Sequence, residues 1–90
     1  MTPDPCVRYP AAAVTAGRAG IDAVDAELVR LVGRRVAISR EIQAARRAAG
    51  GGTLEPGREE VVVRRYADAL GEHGADLARA VLLVCRGAVD

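Results

Sequence analysis

The chain has no lysine, tryptophan or phenylalanine, and only two tyrosines, Tyr9 and Tyr66. With aromatic residues at 2%, there is no stacking platform for the bases of single-stranded nucleic acid. There is one histidine, His73, and the two cysteines lie far apart, Cys6 in a proline-rich tail and Cys85 in an apolar run. Neither a metal-ligand spacing nor a disulfide framework can be drawn from these, so no metal is expected and a reducing cytoplasmic setting is the default. Long hydrophobic runs are also missing. The longest, Ala80 to Cys85, is far too short to cross a bilayer. No basic-then-apolar secretion signal opens the chain. Nor does charge of one sign dominate: 13 basic residues against 12 acidic ones give a net charge of +1. That argues against a broad polyanion-binding surface, and neither nucleic acid nor membrane is expected as a partner. Because lysine is absent, every basic side chain is an arginine. Each is a planar, permanently charged fork that matches carboxylates and phosphates.

What is present is a globular balance, with 50% hydrophobic and 28% charged residues. Ninety residues make one small domain. A chain of this size hides only about 60–65% of the surface its unfolded form exposes, so a lone core would be marginal and a dimer is expected.

Residues 1–15 read as a flexible tail, since Pro3, Pro5 and Pro10 break any helix. From Ala16 to the end the pattern is helical. Ile21, Val24, Leu28, Leu31, Arg35, Ile38, Ile42, Ala45 and Ala49 recur at steps of three, then four, which makes a seam with one arginine in it. Thr15 is the expected cap, and Gly50-Gly51-Gly52 the stop. The resulting helix, about 50 Å long, needs a partner helix along its length. A second helix is expected after Pro56, with Arg58, Val62, Tyr66 and Leu70 on one face. Gly71 and Gly74 bracket a turn, and a third helix from Ala75 buries Leu77, Val81 and Val84 and ends at Gly87. Val61, Val62 and Val63 would also suit a strand, but their charged flanks fit a helix better. The fold class is therefore all-α: one long helix and two short ones, dimerised along the long helix.

Arg35 occupies a seam position between Leu31 and Ile38, where a charge is costly unless something pairs with it. A structural ion pair, or a side chain reaching out to solvent, is the plainer explanation. Arg46 lies eleven residues on, within roughly 20° of the same face and about 16 Å along the axis. Two such guanidinium groups can hold a small dianion between them. Arg18 is about 25 Å from Arg35 along the same helix and a quarter-turn round, so any ligand it serves belongs to another chain's site. Arg58 and Glu59 open the second helix and Arg86 closes the third. Helix dipoles alone would account for Glu59 and Arg86. Together, Arg35, Arg46, Arg58 and Arg86 with Glu59 supply binding and electrostatics without a nucleophile.

The stretch from Arg18 to Arg86 resembles the small all-α chorismate mutases, especially the short actinobacterial type. The resemblance rests on Arg18 with Ile21-Asp22, Asp25-Ala26-Glu27-Leu28, Arg34-Arg35 and Ala45-Arg46. It continues through Gly50-Gly51-Gly52, Arg58-Glu59, Arg65-Tyr66 and Cys85-Arg86-Gly87. No single piece is specific; the ordered set is. It implies an intertwined homodimer of three-helix subunits and a cofactor-free Claisen rearrangement of chorismate to prephenate. By position, Arg35, Arg58 and Arg18 of the partner subunit would fix the two carboxylates of the substrate. Arg46 and Arg86 would reach the breaking ether oxygen, and Glu59 would bind near the ring hydroxyl. Val62 and Leu82 would form the apolar wall.

Two places depart from the family. Glu55 puts a second carboxylate four residues before Glu59, an arrangement that suits an ammonium better than a hydroxyl. This points to the related mutases of secondary metabolism that act on 4-amino-4-deoxychorismate, although a solvent-facing Glu55 is an equally simple reading. The ending Gly87-Ala88-Val89-Asp90 lacks the basic, Leu-Gly-containing end of relatives activated by the heptulosonate-phosphate synthase of the shikimate pathway, which argues against that partner. The rival readings are an isochorismate pyruvate lyase on the same scaffold, a helical dimer that only binds a partner, and a helix-turn-helix DNA binder. Against the last, Arg58, Arg64 and Arg65 are interleaved with Glu59 and Glu60.

Overall fold

The structure is a computed structural model that describes residues 11–51 and 56–87. Three helices follow in chain order: α1 (Ala11–Ala48), α2 (Pro56–Leu70) and α3 (Glu72–Gly87). No strand occurs among the described residues, and the valines at 61 to 63 are helical. The all-α expectation holds.

Helix α1 begins at Ala11, ahead of the expected cap at Thr15. The run Ala11-Ala12-Ala13 has the strongest intrinsic helix preference, and no proline follows it within the helix. Residues 11–15, read from sequence as the end of a tail, are therefore helical, while the rest of that tail lies outside the described residues. The helix stops where the glycines predict. Gly50 takes φ 83°, a left-handed conformation that side-chain-bearing residues avoid. Its N–H donates to the carbonyl of Arg47 at 3.0 Å, and that of Gly51 to the carbonyl of Arg46 at 2.7 Å. This pair of bonds is a Schellman cap, and it fixes the backbone of Arg46 at the end of the helix.

The chain divides into two compact units, Met1–Leu31 and Val32–Asp90. In the first, the described residues are a single stretch of α1. Ile21, Val24, Leu28 and Leu31 of the predicted seam are 43% to 61% exposed there. One helix alone has nothing to bury them against. Arg30 and Glu27, three residues apart, form an exposed ion pair that adds little.

The second unit holds the remainder of α1 with α2 and α3. Helices α2 and α3 pack through Val62, Ala78 and Leu82, with Val63 and Tyr66 against that cluster. Val62 and Tyr66, like Ala78 and Leu82, are four residues apart and so share a helix face. Val81 and Cys85 are buried as well. Each buried Val or Leu contributes about 1.5–3 kcal/mol. Among the described residues no large side chain is wholly buried, so this core is thin.

Between the two helices, Gly71 alone breaks the chain, with φ 82° and its N–H on the carbonyl of Ala67 at 2.7 Å. Helix α3 starts at Glu72 rather than Ala75, which places Gly74 inside its first turn instead of at the edge of a turn. A Cβ on Gly74 would stand 2.3 Å from the carbonyl oxygen of Tyr66 and 2.7 Å from Cβ of Leu70. The missing side chain lets the first turn of α3 close onto the last turn of α2. Of the residues expected to be buried in α3, Val81 is, whereas Leu77 and Val84 are about half exposed (48% and 52%).

Candidate active site

A cleft of about 300 Å³ opens within the second unit, at the small end of the range typical of ligand pockets. The last turns of α1 supply Arg35, Ile38, Ser39, Ile42, Gln43 and Arg46 to its lining. The first turns of α2 supply Arg58, Glu59 and Val62, and the end of α3 supplies Leu82, Cys85 and Arg86. The spacing explains the α1 wall: residues 35, 39, 42, 43 and 46 fall at helical steps of three and four on one side. Residues 58, 59 and 62 do the same on α2, and 82, 85 and 86 on α3.

Two contacts fix side chains across the cleft. Arg35 donates from Nη1 to Sγ of Cys85 at 3.0 Å, a link between α1 and α3. Arg86 Nε lies 3.6 Å from Oε2 of Glu59 and joins α3 to α2, with both side chains partly exposed. Four guanidinium groups and one carboxylate thus line one small volume. Such a lining favours a ligand with more than one negative charge. Its apolar part, which includes Ile38, Ile42, Val62 and Leu82, suits a small carbocyclic body. Among the described residues, no group of three or more His, Cys, Asp or Glu side chains is placed to hold a metal ion.

Seven residues singled out in the sequence come together here: Arg35, Arg46, Arg58, Glu59, Val62, Leu82 and Arg86. Arg18 does not. It is exposed on the first part of α1 and is not part of the cleft lining. Glu55 lies outside the described residues. Sequence reasoning missed Gln43, which is only 7% exposed, and Ser39. Their signal was present in the spacing: Ser39 and Gln43 continue from the seam residue Arg35 at steps of four. Cys85 was noted as part of an apolar run and of the family-like Cys85-Arg86-Gly87, and its role toward Arg35 requires a contact fifty residues away.

Comparison with known proteins shows the family. The family described as chorismate mutase type II matches residues 17–84. The chain belongs to that family. It is thus a member of an isomerase family. The chain is 44% identical to the intracellular chorismate mutase of Mycolicibacterium smegmatis over 70 residues, which are 78% of this chain and 67% of the relative. It is 46% identical to the protein of the same name from Mycobacterium tuberculosis, over 78% of this chain and 66% of the relative. The chain therefore spans about two thirds of the length of these relatives. No solved structure gives a significant match.

Proposed function

We propose that this protein catalyses the rearrangement of a chorismate-type enolpyruvyl ether to the corresponding prephenate. The observation that carries the proposal is the convergence of Arg35, Arg46, Arg58 and Arg86 with Glu59 on one cleft. The reaction is unimolecular and pericyclic, so it needs neither a nucleophile nor a cofactor. It needs the substrate folded so that its two ends meet, and stabilisation of the negative charge that gathers on the breaking ether oxygen. Arg35 and Arg58 take the carboxylates, with Arg35 steadied by Cys85. Arg46 and Arg86 donate to the ether oxygen. Glu59 accepts from the ring substituent and, before substrate arrives, partners Arg86.

The remaining carboxylate contact comes from Arg18 of the partner subunit in a dimer formed along α1. The support is the row of exposed apolar side chains from Ile21 to Leu31, which a second copy would cover. The substrate is chorismate, or 4-amino-4-deoxychorismate in an enzyme of secondary metabolism, a choice that turns on Glu55. Action in the cytoplasm is in keeping with the names of the relatives, which are called intracellular. Among the described residues no helix is long and apolar enough to cross a membrane. The expectation about the heptulosonate-phosphate synthase rests largely on residues 88–90, which lie outside the described residues.

The test is direct. Purified protein is mixed separately with chorismate and with its amino analogue, and loss of substrate absorbance and product identity are followed. A prephenate-type product from either supports the proposal. No turnover of either ether, or salicylate with pyruvate in a parallel assay on isochorismate, contradicts it.

A further inference from the structure

Oε1 of Gln43 is buried in the cleft wall and has no hydrogen-bond partner among the described residues. A buried acceptor left unpaired is rare in a native protein and marks a place where something else binds. Two neighbouring guanidinium groups do not serve it: Arg35 is engaged with Cys85, and Arg86 faces Glu59. The chemistry of the ligand narrows what does. Ionised carboxylates and ether oxygens only accept hydrogen bonds, so neither can meet a carbonyl oxygen. On a chorismate-type ether the remaining polar group is the substituent on the ring, a hydroxyl or an amine, and either can donate.

We infer that Gln43 is a specificity-determining residue whose Oε1 accepts a hydrogen bond from the O–H or N–H substituent on the ring of the bound substrate. The inference rests on the proposed mutase function and adds to it. A hydroxyl has one proton to give, and Gln43 and Glu59 compete for it. A protonated amine has three and serves both. Two acceptors in one cleft are therefore better matched by the amine. Gln43 lines the same cleft as Glu59, the residue assigned to the ring substituent.

The experiment measures kcat/KM of the wild type, Gln43→Met and Gln43→Glu on three ethers: chorismate, 4-amino-4-deoxychorismate, and the analogue with no ring substituent. Gln43→Met keeps the length of the side chain and removes the acceptor. It is expected to lower kcat/KM about 10- to 100-fold on whichever donor-bearing ether the wild type prefers, and to leave the unsubstituted analogue nearly unchanged. Gln43→Glu keeps an acceptor and adds charge, so the preference moves toward the amine. Equal losses on donor-bearing and donor-free ethers overturn the contact and leave the mutase function standing. A wild type inactive on all three overturns the mutase function and the contact with it. Should circular dichroism show Gln43→Met unfolded, Gln43→Glu decides: an unchanged ratio between hydroxyl and amine substrates overturns the contact.

Discussion

The two compact units of this chain use the same kinds of residue for different ends. Up to Leu31 the described residues form one helix whose apolar side chains lie open. From Val32 onward, short helices bury Val62, Ala78 and Leu82 and turn arginines toward a cleft. The first region has apolar surface without a core. The second has a thin core and the chemistry. In a 90-residue chain this division separates the open apolar surface from the charged cleft, so the two can be perturbed independently. On the proposed function, the exposed row on α1 is what a second copy would cover, and the cleft is where a small dicarboxylate would be held.

The largest expected effects fall on the second unit. Arg46→Ala and Arg86→Ala are each expected to lower turnover by about 10²–10³, while circular dichroism and the melting temperature stay close to wild type. Wild-type kinetics from folded Arg46→Ala protein would remove the electrostatic role of that residue. Next comes Gly74→Val. The added side chain has no room beside the Tyr66 carbonyl, so α3 must shift on α2. A loss of about 1–3 kcal/mol, read by urea unfolding, is expected from such overpacking. A neutral result would mean that the two helices approach less closely than described.

On the first unit, Leu28→Asp is expected to weaken the proposed dimer while leaving each chain's own cleft residues in place. Sedimentation would then show monomer at concentrations where wild type is paired, and a wild type that is itself monomeric would end the comparison. The smallest effect is expected at Gly50→Ala. Its left-handed φ disfavours a side chain by about 1 kcal/mol, and the loss falls on the cap that anchors Arg46. Stability should fall slightly, and activity by more than stability alone accounts for.

Much of this was legible in the sequence because it depends on local periodicity. The helix ends at Gly50 and Gly71, the start at Pro56, and the lining by Arg35, Arg46, Arg58, Glu59 and Arg86 follow from spacing and from the ordered set of family-like residues. What was not legible depends on contacts between elements. Gly74 reads as a turn residue until Tyr66 is seen above it. Cys85 reads as core until Arg35 is seen upon its sulfur. The burial of Gln43 cannot be read from α1 alone. The start of α1 differs for another reason: the three prolines argue for a tail, whereas the alanines from Ala11 favour helix and carry it back beyond Thr15.

The central claim is that a cluster of arginines, completed by Arg18 of the partner subunit, rearranges a chorismate-type ether. Its most direct test is to unfold Arg18→Ala and Arg46→Ala proteins together, refold the mixture, and assay it on whichever ether the wild type turns over. Each variant alone should be nearly inactive, whereas mixed dimers contain one site with both arginines intact, so activity should return on mixing. A mixture no more active than the sum of its parts, although mixed dimers have formed, would contradict the account.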